Sequence, residues 1–267
     1  MPRIALGVEY DGTDFVGWQA QRNGRSVAEV LGTAVSAVAG EAVAVHCAGR
    51  TDAGVHAAGQ VAHFDTGAAR SRRQWLLGIN ANLPEDAAVT WVRPVAEEFD
   101  ARRSALARCY RYAIVNAPTR PVLARRYAWW LRAPLDCAPM SRAAAAWLGE
   151  HDFSAFRAAS CQAATPMRRV DSIRVSRAGA LVEIEVTANA FLYHMVRNFV
   201  GVLAEIGRGR APADWAGELL AGRDRTKAAP TAPAHGLTLV AVRYPPAFGL
   251  PAGDSAIMLA PGDAARL

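Results

Sequence analysis

The chain has 267 residues, 52% of them hydrophobic, and carries 30 Lys plus Arg against 24 Asp plus Glu for a formal charge of +6. That is material for one large domain or two small ones with a real core, and it excludes disordered, collagen-like and coiled-coil chains. Lys227 is the only lysine, so nearly all the positive charge is arginine. Its planar guanidinium grips phosphate bidentately and stacks on bases; codon usage rich in Arg and Ala would give the same ratio, so charge alone does not choose a partner.

From the amino terminus, residues 3–10 alternate with Ile4, Leu6, Val8 and Tyr10 on one face, the period of a half-buried strand. Ser26 and Glu29 form a capping box, and Val27, Val30, Leu31, Ala34, Val35 and Val38 follow at helical spacing until Gly40. Residues 43–48 and 60–65 predict short strands, 71–82 a helix stopped by Pro84, and 88–95 a further strand. This is the strand, helix, strand, strand, helix, strand order of a ferredoxin-like unit. The order recurs with a strand at 105–116, a helix at 138–148, a hairpin of 168–176 and 181–187 around Ala178 and Gly179, a helix at 191–206 and a strand at 237–244. Residues 214–221 add one more helix. The expected class is α+β: two related βαββαβ halves, residues 1–104 and 105–247, with sheets that join around one cleft, followed by an irregular tail over 248–267.

Residues 199–206, the longest apolar stretch, are interrupted by Gly201 and Glu205 and fall far short of the roughly 20 residues a bilayer span requires. Glu9 and Asp11 stand where a signal peptide would carry its apolar segment, so a cytoplasmic location is expected. Cys47, Cys109, Cys137 and Cys161 are scattered and read as reduced thiols. No HExxH, GxGxxG, Walker A or GxSxG string occurs, and neither a metal nor a cofactor is expected.

The helix predicted at 191–206 places Leu192, Met195, Val196, Phe199, Leu203 and Ile206 on one apolar stripe and leaves Tyr193, His194 and Arg197 off it. Gly201, four residues after Arg197, removes steric cover and lets that guanidinium reach sideways; taken alone, Arg197 reads as a solvated arginine. Residues 49–57, GRTDAGVHA, form a compact turn between two strands with an Arg, an Asp and a His in it. Taken alone, Asp52 reads as an Asx-turn residue bonded to its own backbone, and Arg50 as a surface charge.

Five strings change that reading. GRTDAGVHA, EYDGTDFVGWQ from Glu9, NANLP from Asn80, FDARRSALARCYRY from Phe99 and FLYHMVRN from Phe191 stand in one order across both halves. Together they resemble the tRNA pseudouridine synthase A family from about residue 3 to residue 244. The resemblance implies the pseudouridine synthase fold, two α+β halves around a deep basic cleft. It also implies a cofactor-free homodimeric isomerase that converts uridine to pseudouridine in the anticodon stem-loop of tRNA, at positions 38 to 40. Asp52 then matches the catalytic carboxylate, Tyr110 the ring that contacts uracil, Arg197 the ionic partner of Asp52, and Arg50 the arginine used against RNA when the target base is turned out. Arg102 and Arg103 match a segment the family uses on the RNA backbone, and Arg70 is a phosphate candidate by position alone. Cys109 departs mildly from the pattern beside Tyr110.

The chemistry suits these residue types. Turning an N-glycoside into a C-glycoside involves no net redox change, so no redox cofactor is needed, and a carboxylate can attack the sugar or the ring or remove a sugar proton. The base must leave the RNA stack at a cost of a few kcal/mol, which stacking on a planar side chain offsets. Burial disfavours a charged carboxylate and a guanidinium in contact favours it, the role expected of Arg197. Phosphate contacts by the other arginines would make affinity fall steeply with salt. Two rivals remain: a noncatalytic RNA-binding module of ferredoxin-like repeats, which would show exposed aromatics in an RNP1-like string, and a metabolic enzyme for a small anionic substrate.

Overall fold

Alternating apolar residues make the first strand, β1 (Arg3–Tyr10), and the computed structural model, which describes residues 1–22 and 24–251, places it between two antiparallel neighbours. Contacts divide the chain into two compact units, Met1–Arg108 with the described chain from Thr238, and Cys109–Leu237. Among the described residues there are ten strands and five α-helices, a mixed α+β protein.

In the first unit, Ser26 and Glu29 exchange the two bonds of a capping box at the start of α1 (Val27–Ala39), and Gly40 ends it in the left-handed region at φ 76°. β2 (His46–Cys47) follows, then β3 (His56–Asp65), α2 (Arg72–Asn82) under a second capping box from Ser71 and Gln74, and β4 (Ala87–Val95). β3 starts four residues before the predicted strand because His56 is pinned at once: its Nδ1 accepts the Gly12 amide at 3.0 Å. The helices cover one sheet face, where Phe64 of β3 meets Trp75 of α2 edge to face at 5.2 Å. The alternation of β1 predicted one covered face; in fact Ala5 is as buried as Leu6, since Phe99 and Ala101, with Tyr244 and Phe248, close the other.

The second unit runs β5 (Ala107–Asn116), β6 (Trp129–Leu131), α3 (Cys137–Ala145), β7 (Gly149–Asp152), β8 (Met167–Ala178), β9 (Leu181–Ala188), α4 (Met195–Gly207) and α5 (Trp215–Gly222). Its strand order is β5-β9-β8-β7, with β6 parallel to β5. β6 and β7, with three and four residues, were not expected from the sequence. The unit's core is aromatic: Trp147 stacks on Phe199 of α4 at 4.2 Å, and Phe153 and Phe156 flank that ring at 5.6 and 4.8 Å. α4 begins at Met195 rather than at 191, because His194 takes a left-handed φ of 62° that no helix continues.

The last strand, β10 (Leu237–Arg243), pairs in parallel with β3 at Thr238 and Leu239, giving the first unit the order β4-β1-β3-β10 with β2 also on β3. The sequence reading closes its second half, 105–247, with this strand; its hydrogen bonds count it in the first unit. The expected irregular tail begins differently too, since residues 246–248 make a 3-10 turn that sets Phe248 edge-on to Phe99 at 5.1 Å. Residues 252–267 of that expectation lie outside the described residues. Among the described residues no helix is long and apolar enough to cross a membrane.

Candidate active site

The turn between β2 and β3 carries Asp52, half-buried, opposite Gly17 in an isolated antiparallel bridge. The amide of Trp18 donates to the Thr51 carbonyl at 3.1 Å, that of Gly54 to the Phe15 carbonyl at 3.3 Å, and that of Val55 closes the turn on the Asp52 carbonyl at 3.1 Å. Gly17 has φ 102°, and a Cβ there would stand 2.6 Å from the Thr51 oxygen and 3.0 Å from the Asp52 carbonyl carbon. A Cβ on Gly12 would meet the Val55 oxygen at 2.0 Å. EYDGTDFVGWQ and GRTDAGVHA, forty residues apart, are therefore two sides of one close backbone contact, and the glycines of the first exist to admit the second.

Beside this turn lies a hollow of about 400 Å³ lined by Trp18, His46, Arg50, Asp100, Arg102 and Arg103 among others. Three of the predicted RNA-facing arginines are thus gathered at one place. The loop that bears two of them is tied down at every residue. Asp100 accepts the Arg102 and Arg103 amides at 2.8 Å each. Burial opposes charge on Asp100, but those amides outweigh it and hold the carboxyl below the usual carboxylate range. The Ala101 amide donates to His63 Nδ1 at 3.1 Å and the Ala101 carbonyl accepts from the Tyr244 hydroxyl at 2.5 Å. The buried Arg108 guanidinium bridges the Arg102 carbonyl at 2.6 Å and the Ala48 carbonyl at 2.9 Å, linking this loop to the strand that leads into the Asp52 turn. Arg70 is not among the residues that line the hollow; it is exposed, and its guanidinium donates to the adjacent Ala69 carbonyl at 3.0 Å. Cys47 lines the same hollow, and burial pushes its thiol up to about 12 despite the Arg102 and Arg50 charges, so it is no nucleophile at neutral pH.

In the second unit, Tyr110 sits on β5, buried, with its ring edge-on to Phe191 at 5.1 Å and 87°. Arg197 lies in the first turn of α4, half-buried, and donates from Nε to the Ala232 carbonyl at 2.8 Å, while the Ala232 amide returns a bond to the Arg197 carbonyl at 3.1 Å. Gly201 permits this, by a route other than the one predicted. A Cβ at Gly201 would stand 2.1 Å from the Pro230 carbonyl, so the glycine admits the 229–232 strap against the helix, and the strap in turn holds the guanidinium. Asn198, the next residue of FLYHMVRN, is fully buried; it donates to the Phe156 carbonyl at 2.7 Å and accepts from Thr231 at 2.7 Å and Arg225 at 3.0 Å.

His63, Arg108, Asn198 and Gln60 brace the site without a role assigned to them from the sequence. Asn198 and Gln60 are the ones with a readable signal, since each puts an amide where its neighbours bury apolar side chains. Among the described residues no group of three or more His, Cys, Asp or Glu is placed to hold a metal ion.

Guanidinium groups and an indole around one hollow, with a carboxylate on the adjoining turn, define an α+β protein equipped to meet a polyanion. The chain belongs to the tRNA pseudouridine synthase family, whose profile matches residues 7–102 and 143–245. It is 54% identical over 249 residues to the tRNA pseudouridine synthase A of Enterobacter sp. (strain 638), covering 93% of this chain and 92% of that protein. It is 53% identical over 264 residues to the protein of that name from Methylococcus capsulatus, covering 99% and 97%. A third such relative, from Shewanella amazonensis, is 53% identical over 249 residues, covering 93% and 95%. Arg50, Asp52, Arg102 and Arg197 fall within the matched segments; Arg103 and Tyr110 fall in the interval between them.

Proposed function

We propose that this protein isomerises uridine to pseudouridine in the anticodon stem-loop of tRNA, at positions 38 to 40, with Asp52 as its catalytic carboxylate. The observation that carries the proposal is the Asp52 turn itself, an acidic residue on a backbone braced from both sides, beside three arginines, in a chain of this family. In the reaction the bond from the sugar carbon to uracil N1 breaks, the ring turns, and a bond forms from the same sugar carbon to C5. The C5 hydrogen leaves as a proton and N1 gains one, so atoms and electrons balance with no redox partner.

Arg50, Arg102 and Arg103 take phosphates of the stem-loop, a positioning role without sequence readout that suits an enzyme acting on many tRNAs. Arg50 also faces the RNA where the target base is turned out. Tyr110 contacts the extruded uracil, and Arg197 is the ionic partner of Asp52. Arg70 is the weakest of the phosphate candidates, being supported by exposure and charge alone. The finer fold is that of the pseudouridine synthases, two ferredoxin-like halves joined around a basic cleft. The antiparallel run β4-β1-β3-β2 supports the ferredoxin-like order of the first half. The enzyme works as a homodimer in the cytoplasm without a cofactor.

The test uses tRNA tritiated at uracil carbon 5. Wild type releases tritium to solvent, and Asp52→Asn releases it at least about 10³-fold more slowly while still retaining tRNA. Release by Asp52→Asn at the wild-type rate removes the carboxylate from the mechanism. Retention of tRNA with no release by wild type favours the noncatalytic RNA-binding module.

A further inference from the structure

Under the Asp52 turn lies a set of polar groups that nothing above employs. Tyr10 on β1, Thr51 on the turn and Gln60 on β3 are all buried. The Tyr10 hydroxyl and Thr51 Oγ1 are 2.7 Å apart. Gln60 donates from its amide nitrogen to the Gly49 carbonyl at 2.7 Å and to the Tyr10 oxygen at 3.4 Å, and its amide oxygen accepts the Gly49 amide at 3.4 Å. Burial raises the Tyr10 phenol well above its ordinary range, so it stays protonated at any working pH. With its oxygen accepting from Gln60, Tyr10 is placed to donate to Thr51.

These bonds grip the peptide of Gly49 and the side chain of Thr51, the residues on either side of Arg50, and Thr51 is directly joined to Asp52. The opposite side of the same residues is held by backbone: Trp18 donates to the Thr51 carbonyl, and Gly17 bridges Asp52. Asp52 therefore has a fixed main chain before its carboxylate meets any substrate. A polar set in the first unit's interior is an unusual choice for stability, since an apolar core residue would need no partners. Its geometry serves direction instead.

We propose that Tyr10, Thr51 and Gln60 are positioning residues for the reaction, which set the height and direction of the Asp52 carboxylate against the extruded uridine. The proposal rests on the reading of Asp52 as the catalytic carboxylate. None of the three touches substrate; each acts through the turn. Loss of one hydroxyl lets the turn drift by a fraction of an ångström, and misplacement on that scale slows chemistry without weakening RNA capture, which belongs to the arginines.

The experiment is single-turnover tritium release from tRNA labelled at uracil carbon 5, alongside filter retention of the same tRNA, for Tyr10→Phe, Thr51→Val, Thr51→Ser and Asp52→Asn. Tyr10→Phe and Thr51→Val are expected to lower the single-turnover rate constant about 10- to 100-fold while the dissociation constant stays within about threefold, and Thr51→Ser to recover the rate. A merely structural role would lower the rate and RNA retention together in proportion to the folded fraction. Should Thr51→Val fail to fold, Tyr10→Phe decides alone, because phenylalanine keeps the ring in place. Wild-type rates in Tyr10→Phe and Thr51→Val, or a Thr51→Ser variant as slow as Thr51→Val, overturn the positioning role. The Asp52→Asn arm separates the two readings. If it is inert while the Thr51 and Tyr10 variants are fully active, only this inference fails; if it reacts as wild type, the carboxylate assignment fails first.

Discussion

Asp52 in the first unit is held by directional bonds, with backbone bridges from residues 15–18 on one side and the Tyr10, Thr51 and Gln60 side chains on the other. Arg197 in the second unit stands on a base held by bulk: α4 is fixed by Phe199 stacked on Trp147, and the Ala232 carbonyl of a strap pressed against the helix accepts from the guanidinium. The difference fits what each side chain has to do. A short carboxylate has little reach, so its backbone must be fixed, whereas a long arginine needs a rigid base and one guide near its tip. The first arrangement should fail on losing a hydroxyl, the second on gaining a methyl.

The largest effect in the second unit is expected from Arg197→Met. The side chain is half-buried and the helix keeps its aromatic seat, so the variant folds and retains tRNA. If Arg197 pairs with Asp52 as proposed, losing a charge-assisted contact worth about 1.5–3 kcal/mol lowers the tritium-release rate roughly 10- to 100-fold. A fully active variant would detach Arg197 from Asp52 altogether.

Gly201→Ala sharpens the contrast, because two effects of opposite sign compete. Helix propensity alone favours alanine by about 1 kcal/mol. The new methyl would lie 2.1 Å from the Pro230 carbonyl, and overpacking of that kind costs about 1–3 kcal/mol. Destabilisation should win, read as a lower melting temperature, with a smaller loss of rate as the strap carries Ala232 away from Arg197. A higher melting temperature would show that the strap yields freely and does not guide the arginine.

What the sequence discloses follows the range of the interaction. The capping box of Ser26 with Glu29 is closed within four residues, and its helix begins where those residues indicate; the helix expected at 71–82 also begins in place, under a box of Ser71 with Gln74 that the structure shows. The hairpin turn at Gly179 is equally local. The partner of β10 is not, since an alternating strand carries no record of which neighbour it will pair with, and β6 and β7 are too short to alternate at all. At the site, the residues that would face substrate are visible as motifs, but the supports are not. Gln60 and Asn198 stand out only as amides among apolar neighbours, and what they and Gly17 support emerges once Gly49, Phe156 and Thr51 stand beside them.

The smallest expected effect returns to the first unit and to the loop of Arg102 and Arg103. His63 accepts the Ala101 amide at Nδ1, which it can do only as a neutral ring, and its ring stacks on that of His46 at 5.2 Å. Burial first, then the Arg3 charge and His46, hold its pKa below the ordinary histidine value, while Asp100 and Asp65 pull the other way. With the folded value lowered, the unfolded chain binds the proton more readily. The stabilisation is therefore complete above the unfolded value near 6.5 and is lost as pH falls through the lowered native value. Asp65 and Asp100 also have lowered values, so the stability they contribute holds down to about pH 4 and does not blur the interval above it. Melting temperatures between about pH 7 and 5 should fall for wild type and change less for His63→Asn, whose amide oxygen can take the Ala101 bond without titrating. Parallel slopes for the two proteins would mean that the Arg102–Arg103 loop does not depend on the protonation of His63, and that the directional bonding of the first unit extends no further than the Asp52 turn.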